Sequence, residues 1–137
     1  MRMPRIFIGY KYQNVNKRLL KKKIEKIASA LEEKGFQTFN YFRDKENWKP
    51  QNFPAGKVIE EAFKELKKCD ALLVFVDSPK KSKGIFLEFG FAKALGKKTI
   101  LLISKEVTSP ILESISDQVI KFDNFKNIEK SLNKIKL

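Results

Sequence analysis

Five short apolar runs, separated by segments with the periodicity of amphipathic helices, constrain the fold of this chain more than any other feature. The runs cover residues 5–9, 36–42, 71–76, 99–103 and 119–122. Strands that alternate with helices are joined by right-handed crossovers, which place the strands in a parallel sheet and the helices on both faces. We therefore predict a single α/β domain over residues 1–137, Rossmann-like or flavodoxin-like, with a five-stranded, mostly parallel sheet.

The segments between these runs have the patterns of helices and of one long loop. A helical period of apolar residues runs from Val15 to Leu31, and Gly35 ends that helix as a C-cap glycine. Further helices are predicted over residues 57–68, 84–95 and 124–136. Residues 43–56 contain two prolines and no clear period, which is typical of a loop over a binding site.

Ligands of parallel α/β sheets bind beyond the carboxyl ends of the strands, near the switch in strand order. We therefore expect residues 9–12, residues 77–84 and the segment from Ser104 onward to surround one crevice. Tyr10 follows the first strand and is a candidate binding residue there. Asp77, at the end of the third strand, is either an acceptor for a sugar hydroxyl or a turn residue.

Residue types that the chain lacks exclude several chemistries. It has no histidine and one cysteine, Cys69, which excludes histidine-based catalysis and an internal disulfide and leaves zinc without its usual ligands. Any acid–base or nucleophilic catalysis must then use carboxylates, tyrosines or lysines. The sequence implies no metal and no cofactor.

The charge balance is strongly basic. Lys and Arg number 29 against 16 Asp and Glu, a net charge of +13. Such a field attracts phosphorylated molecules, but the lysines are spread along the chain, so a solvated surface explains most of them and nucleic-acid binding is not indicated. No apolar run approaches the ~20 residues that cross a bilayer, and the first residues lack the apolar stretch of a secretory signal. We therefore expect a cytoplasmic protein without a membrane partner.

One carboxylate stands out because of its surroundings. Residues 84–95 are apolar on nearly every side of the predicted helix and contain a single acidic residue, Glu88. A carboxylate among aromatic side chains is costly unless it is paired or its proton affinity rises, and such groups are often kept for function. The alternative is that Glu88 lies on the solvated side of the helix or near its positive end.

Residues 77–84, Asp-Ser-Pro-Lys-Lys-Ser-Lys-Gly, lead into this helix. Backbone amides, the Ser82 hydroxyl and three lysines offer a cradle for phosphate, although the same composition also suits a solvated turn. The segment has no Walker pattern, and no GxGxxG follows the first strand, which argues against ATP hydrolysis and hydride transfer.

At these residues the sequence resembles the nucleoside 2-deoxyribosyltransferase family, including its relatives that hydrolyse 2′-deoxynucleoside 5′-monophosphates. The resemblance runs from Ile6 to about Phe125. Its centre is Cys69-Asp-Ala-Leu-Leu-Val-Phe-Val-Asp77 followed by Ser82-Lys-Gly-Ile-Phe-Leu-Glu88-Phe-Gly-Phe-Ala. This is similar to the family pattern of a strand, an acidic or hydroxyl residue, Gly, and then Glu-x-Gly-x-Ala. A second match is Ser116-Asp-Gln-Val-Ile-Lys121.

The resemblance implies a covalent mechanism and a set of site residues. Glu88 matches the nucleophile that attacks the anomeric carbon of the sugar, after which water or a second base releases the sugar. Ser82 matches the position that contacts the 5′ end of the sugar, where Ser instead of Asp favours a 5′-phosphate. Gln118 matches an Asn that reaches into a neighbouring subunit's site, which implies a homodimer or a larger homo-oligomer. The remaining substrate-binding residues expected around the crevice are Phe7, Gly9, Tyr10, Asp77 and Gly84.

Two departures from the family pattern keep other functions open. The first strand has Ile6 or Phe7 where the family usually has Tyr, and Ala62 stands where the family keeps an Asp. Loss of an acid that helps the base to leave is expected to cost ~10²–10⁴-fold in rate, but less for a cationic leaving group such as the nicotinamide of NAD. The alternatives are therefore a Toll/interleukin-receptor-like NAD hydrolase that uses Glu88 and a non-catalytic nucleotide-sensing domain.

Overall fold

A five-stranded parallel sheet forms the centre of the molecule. The computed structural model describes residues 3–137, so the predicted domain start at residues 1 and 2 lies outside the described residues. The strands are β1 (Arg5–Tyr10), β2 (Gln37–Phe39), β3 (Ala71–Val76), β4 (Lys98–Ser104) and β5 (Gln118–Phe122). Their order is β2-β1-β3-β4-β5, and every neighbouring pair is parallel. This is the strand order of flavodoxin-like folds, so the predicted fold class is confirmed, with a fully parallel sheet.

Helices cover both faces of the sheet. Within residues 3–137 they are α1 (Lys17–Glu33), α2 (Tyr41–Asp44), α3 (Ala55–Lys67), α4 (Lys83–Ala94), α5 (Pro110–Ile115) and α6 (Ile128–Leu132). Helices α1 and α6 pack together on one face, and α3 and α4 pack together on the other. None of these helices combines the length and the apolar character that crossing a membrane requires.

The pleat of the sheet decides which residues face which helices. Successive side chains of a strand point to opposite faces. Ile8 and Tyr10 therefore belong to the apolar core beneath α1 and α6, whereas Phe7 and Leu72 belong to the core beneath α3 and α4. Gly9 has the same parity as Phe7, so the carboxyl end of β1 presents Gly9 to α4 and Tyr10 to α1.

The region after β2 differs from the sequence-based prediction. We expected a strand over residues 36–42 followed by a loop over residues 43–56, but β2 ends at Phe39 and α2 begins two residues later. The reason is the side chain of Asn40, whose Oδ1 accepts a hydrogen bond from the backbone N–H of Arg43 and caps α2. The connection without regular structure is therefore shorter, at residues 45–54.

The region after β4 also differs. Helix α5 was not predicted, because six residues are too few to display a helical period, although Pro110 at its first turn is a helix-start signal. The final helix was expected over residues 124–136. It is instead a 3₁₀ turn at Phe125–Asn127 followed by α6.

Helix α4 starts just past the carboxyl end of β3. Ser82 is its N-cap, and the Ser82 Oγ accepts a hydrogen bond from the N–H of Ile85 at 3.3 Å. Gly96, with a φ of 71°, follows the helix and reverses the chain into β4. This places Glu88 in the second turn of α4, over the β1 side of the sheet.

Candidate active site

The carboxyl group of Glu88 lies in a recess against β1. A Cβ atom placed on Gly9 would lie only 2.8 Å from Glu88 Oε1. The same position is 3.5 Å from a methyl group of Leu72 and 3.6 Å from one of Val74. The Glu88 carboxyl therefore occupies the space that a side chain at position 9 would fill.

The electrostatic surroundings of Glu88 are unusual for a carboxylate. Its side chain keeps part of its surface exposed, whereas the carboxyl group itself is deeply set. Among residues 3–137 no hydrogen bond or ion pair reaches this carboxyl. Burial raises the pKa of Glu88 from 4.5 to about 8, because the ionised form loses hydration without gaining a partner. A carboxyl with a raised pKa at the ligand-binding edge of a sheet is a candidate reactive group.

Tyr10 lies close to Glu88 but on the opposite face of the sheet. Its hydroxyl donates to Asn40 Oδ1 at 2.9 Å and accepts a hydrogen bond from the N–H of Phe42 at 3.0 Å. Burial raises the pKa of Tyr10 despite the Phe42 hydrogen bond, and the nearby charge of Glu88 raises it further. The hydroxyl is thus protonated and already engaged within the fold.

A cavity of about 250 Å³ opens beside the N-terminus of α4. Its floor is apolar, and its rim carries the side chains of Asp77 and Ser82 together with several hydroxyl and ammonium groups. These further polar residues are Lys11, Ser78, Lys80, Lys81, Thr108 and Ser109. Asp77 also forms an ion pair of 2.6 Å with Lys23, which compensates its negative charge. The lysines on the rim therefore make the cavity suited to an anion.

Ser82 caps α4 at its start, and Glu88 lies in the second turn of the same helix. Phe86 and Ile85 line the cavity on the α5 side, whereas Glu88 turns toward β1. The two residues are six positions apart, or about 9 Å along the helix axis. Because helical side chains lean toward the N-terminus, the Glu88 carboxyl is brought closer to the Ser82 end. Gly84 lies between them in the first turn of α4. A Cβ atom placed on Gly84 would lie 3.8 Å from Ser82 Oγ.

Two other residues predicted for the site are not brought to the recess. Phe7 is only 1% exposed, and its ring packs against that of Phe39 with centroids 5.1 Å apart, so it is a core side chain with almost no surface to offer a ligand. Gln118 begins the edge strand β5, and β3 and β4 lie between it and β1. Its side chain hydrogen-bonds the backbone of Lys134 and Lys136. Within one chain, Gln118 does not meet Glu88.

Ala62 occupies a core position on α3. It is 2% exposed and lies within the same apolar cluster as the buried face of α4. The neighbouring acids are committed elsewhere, since Glu61 accepts a hydrogen bond from the Tyr41 hydroxyl at 3.0 Å and Glu65 forms an ion pair with Arg5 at 3.4 Å. Neither Glu61 nor Glu65 therefore substitutes for the Asp that the family pattern has at the position of Ala62.

Lys11 is a cavity residue that the sequence analysis did not single out. It lines both this cavity and a smaller one of about 160 Å³ on the α1 side. Its position two residues beyond Gly9, within the segment expected at the crevice, was the available signal. Thr108 and Ser109 were missed because the short helix that they precede was missed.

The fold is that of a small α/β domain, and it places a candidate reactive group, the Glu88 carboxyl, at the ligand-binding edge of a parallel sheet. The sequence profile of the nucleoside 2-deoxyribosyltransferase family matches residues 15–128, well over half of the chain, and the chain belongs to this family. It is thereby placed among enzymes that act on the N-glycosidic bond of nucleosides.

Solved structures agree with this assignment. A CMP N-glycosidase from Clostridium botulinum is 28% identical with a TM-score of 0.69, and the match covers 96% of this chain and 99% of that chain. A 2-deoxyribosyltransferase from Bacillus psychrosaccharolyticus shares the fold at 19% identity and a TM-score of 0.67, with 91% and 90% covered. One from Leishmania mexicana does so at 17% identity and a TM-score of 0.60, with 81% and 70% covered. A comparison with curated proteins found no match.

Proposed function

We propose that the protein is a cytoplasmic enzyme that cleaves or transfers the N-glycosidic bond of (deoxy)nucleosides or their 5′-monophosphates through a covalent glycosyl-Glu88 intermediate. The observation that carries this proposal is the unpaired carboxyl of Glu88 in its recess at the carboxyl edge of the sheet. Membership of the family supports the class of bond. Of the possible substrates, we favour the 5′-monophosphates.

The proposed reaction has two steps at the anomeric carbon. In the first, an oxygen of ionised Glu88 bonds to C1′ while the bond from C1′ to the base nitrogen breaks, and the base leaves with the electron pair and takes a proton from solvent. In the second, water or another base attacks C1′, the bond to Glu88 breaks and the attacking group gives its proton to solvent, which restores the carboxylate. The negative charge of Glu88 stabilises the oxocarbenium-like transition state of both steps.

The preference for a 5′-phosphate is supported by the cavity beside the Ser82 end of α4. The Ser82 oxygen accepts a hydrogen bond from the N–H of Ile85, so its own hydrogen is free to donate to a phosphate oxygen. Lys11, Lys80 and Lys81 add positive charge around the same cavity. An Asp at position 82 would instead repel the phosphate.

A homodimer, or a larger homo-oligomer, is part of the same proposal. Leu87 on the outward face of α4 is 51% exposed, and Ile111 on the neighbouring α5 is 58% exposed. Large exposed apolar side chains of this kind are typical of an interface. If a second copy covers this face, Gln118 has a route to a neighbouring site that it lacks within its own chain. Light scattering after size exclusion would measure the number of copies.

The decisive experiment measures free base released from a panel of deoxynucleosides, their 5′-monophosphates and NAD. Wild type is compared with Glu88→Gln and with the control Glu60→Gln, an exposed acid on α3. We expect release from the monophosphates, no release by Glu88→Gln, and unchanged release by the control. Mass spectrometry of wild type quenched during turnover should detect the sugar attached to the protein.

Other outcomes would favour the alternatives. Base released from NAD alone would point to an NAD hydrolase, for which the missing acid at Ala62 matters less. Thermal stabilisation by nucleotides without any turnover would indicate a sensing domain. Full activity of Glu88→Gln would remove Glu88 from the mechanism.

A further inference from the structure

The presence of glycine at position 9 is explained by the Glu88 side chain that lies against it, and not by the backbone conformation of Gly9. We infer that Gly9 is a positioning residue, whose missing side chain creates the recess that holds the Glu88 carboxyl against β1. Its relevance to catalysis rests on the proposed function, whereas its effect on Glu88 does not. The sequence-based expectation was different, namely that Gly9 binds substrate directly.

The conformation of Gly9 does not require glycine. Gly35 and Gly96 are the described glycines with positive φ, and Gly9 is not among them. Gly9 lies within β1, in register with Val74 of β3, where any residue adopts the extended backbone. Glycine inside a strand weakens it and often marks the close approach of another group. A steric reason is therefore needed at this position.

The steric reason is one atom. Of the three atoms nearest to a Cβ at position 9, the methyl groups of Leu72 and Val74 lie at ordinary van der Waals distances of 3.5 and 3.6 Å. Glu88 Oε1, at 2.8 Å, is the contact that such a Cβ could not keep. Without Glu88, an alanine would fit the strand.

The recess has a chemical consequence for Glu88. No hydrogen bond within residues 3–137 fixes this carboxyl, so its orientation depends on packing against β1. The oxygen that faces Gly9 is Oε1. A side chain at position 9 would push the carboxyl outward, and a displacement of ~1 Å in a reacting group lowers rates by about 10²-fold.

A thermal double-mutant cycle tests the inference without any assay of activity. Gly9→Ala should lower the Tm in the wild-type background, because the new methyl group meets the carboxyl oxygen. In the Glu88→Ala background the same substitution should leave the Tm unchanged or raise it. As a control, Gly56→Ala, which has no atom within 4 Å of its Cβ position, should have the same effect in both backgrounds. Equal effects of Gly9→Ala in both backgrounds would overturn the inference.

Kinetics give a second readout that a purely structural role would not move. Gly9→Ala should lower kcat by about 10²-fold and shift the acidic limb of the pH profile of kcat/KM to lower pH, since a displaced carboxyl regains water. Gly56→Ala should change neither. If wild type releases no base, the proposed function fails, and the thermal cycle still decides whether Gly9 positions Glu88. If wild type is active but the cycle shows no coupling, the positioning role alone is refuted.

Discussion

The hydroxyl of Tyr10 lies 2.9 Å from Oδ1 of Asn40, and this hydrogen bond joins the carboxyl ends of β1 and β2. The same hydroxyl accepts the N–H of Phe42, and the same Oδ1 accepts the N–H of Arg43. One phenol and one amide thus fix the start of α2 to the strand that carries Gly9. The network supports the edge of the Glu88 recess from the opposite face of the sheet.

Substitution of Tyr10 by Phe should show how much the hydrogen bonds of its hydroxyl contribute to stability, apart from the packing of its ring. Tyr10→Phe leaves the N–H of Phe42 without its partner and removes one of the two hydrogen bonds to Asn40 Oδ1, so we expect the free energy of unfolding to fall by about 1–3 kcal/mol. The matched control is Tyr12→Phe, because no group among residues 3–137 meets the buried Tyr12 hydroxyl in hydrogen-bond geometry, although burial and the nearby Glu46 carboxylate raise the pKa of Tyr12. This change should therefore lower the free energy of unfolding by less than about 1 kcal/mol. Urea denaturation measures both, and equal losses would contradict the prediction.

The rate of base release should depend on the protonation of Glu88. A nucleophile must be ionised, and the pKa of Glu88 is raised to about 8 by burial. We therefore expect kcat/KM, which reports the free enzyme, to rise from about pH 6 to about pH 9 with an apparent pKa near 8. Initial rates across this range are the measurement. A decline through the same range would instead show that the protonated carboxyl acts, as a general acid.

The stability of the protein should decrease as the pH rises, because Glu88 then loses its proton. The pKa of Glu88 is about 8 in the folded chain against the ordinary 4.5, so the folded state holds this proton more tightly than the unfolded state does. The resulting stabilisation is fully present below pH 4.5 and is lost as the pH rises toward 8. Glu88→Gln has no proton to lose, so its advantage over wild type should grow across this window.

The expected size of that advantage is about 1–3 kcal/mol at alkaline pH, reduced from the full effect of the pKa shift because the side chain is partly hydrated. Urea denaturation of both proteins at several pH values measures it. The exposed control Glu60→Gln should follow wild type at every pH. A constant difference between Glu88→Gln and wild type would show that Glu88 does not titrate in this window.

A single substitution at the cap of α4 should change the substrate preference. Ser82→Asp keeps an efficient N-cap but adds a negative charge at the rim of the cavity. Repulsion of about 1–4 kcal/mol between like charges ~4 Å apart predicts an increase in KM for a 5′-monophosphate of at least about 5-fold, while activity on the matching nucleoside is retained.

The control for this prediction is Ser114→Asp, which adds the same charge at an exposed position of α5 that does not line the cavity. Steady-state kinetics with both substrates measure the two variants. A parallel loss on nucleoside and monophosphate would mean that Ser82 supports the helix without contacting the 5′ group.

The sequence was sufficient for the features that depend on local pattern. Short apolar runs and helices of period 3.6 are visible in neighbouring residues, so the order of elements and the parallel sheet were predictable. The prominence of Glu88 followed in the same way, because one acid stood in an otherwise apolar helix, with Ser82 ahead of it at a helix start. The predictions failed where a local side-chain hydrogen bond outweighed the hydrophobic pattern. The Asn40 side chain, for example, caps α2, so that β2 ends earlier than its pattern predicts.

The tertiary structure alone decided how distant residues meet. Phe7, Gly9 and Tyr10 are candidate crevice residues that lie close together in the sequence. In the structure Phe7 lies in the core, Gly9 lies against Glu88, and Tyr10 hydrogen-bonds Asn40. Gln118 was grouped with them and lies on β5, with β3 and β4 between it and β1. Local periodicity specifies which residues are buried, but the contact between Gly9 and Glu88 depends on how the crossover after β3 lays α4 across β1. That geometry arises from packing between segments far apart in the chain, which no local pattern encodes.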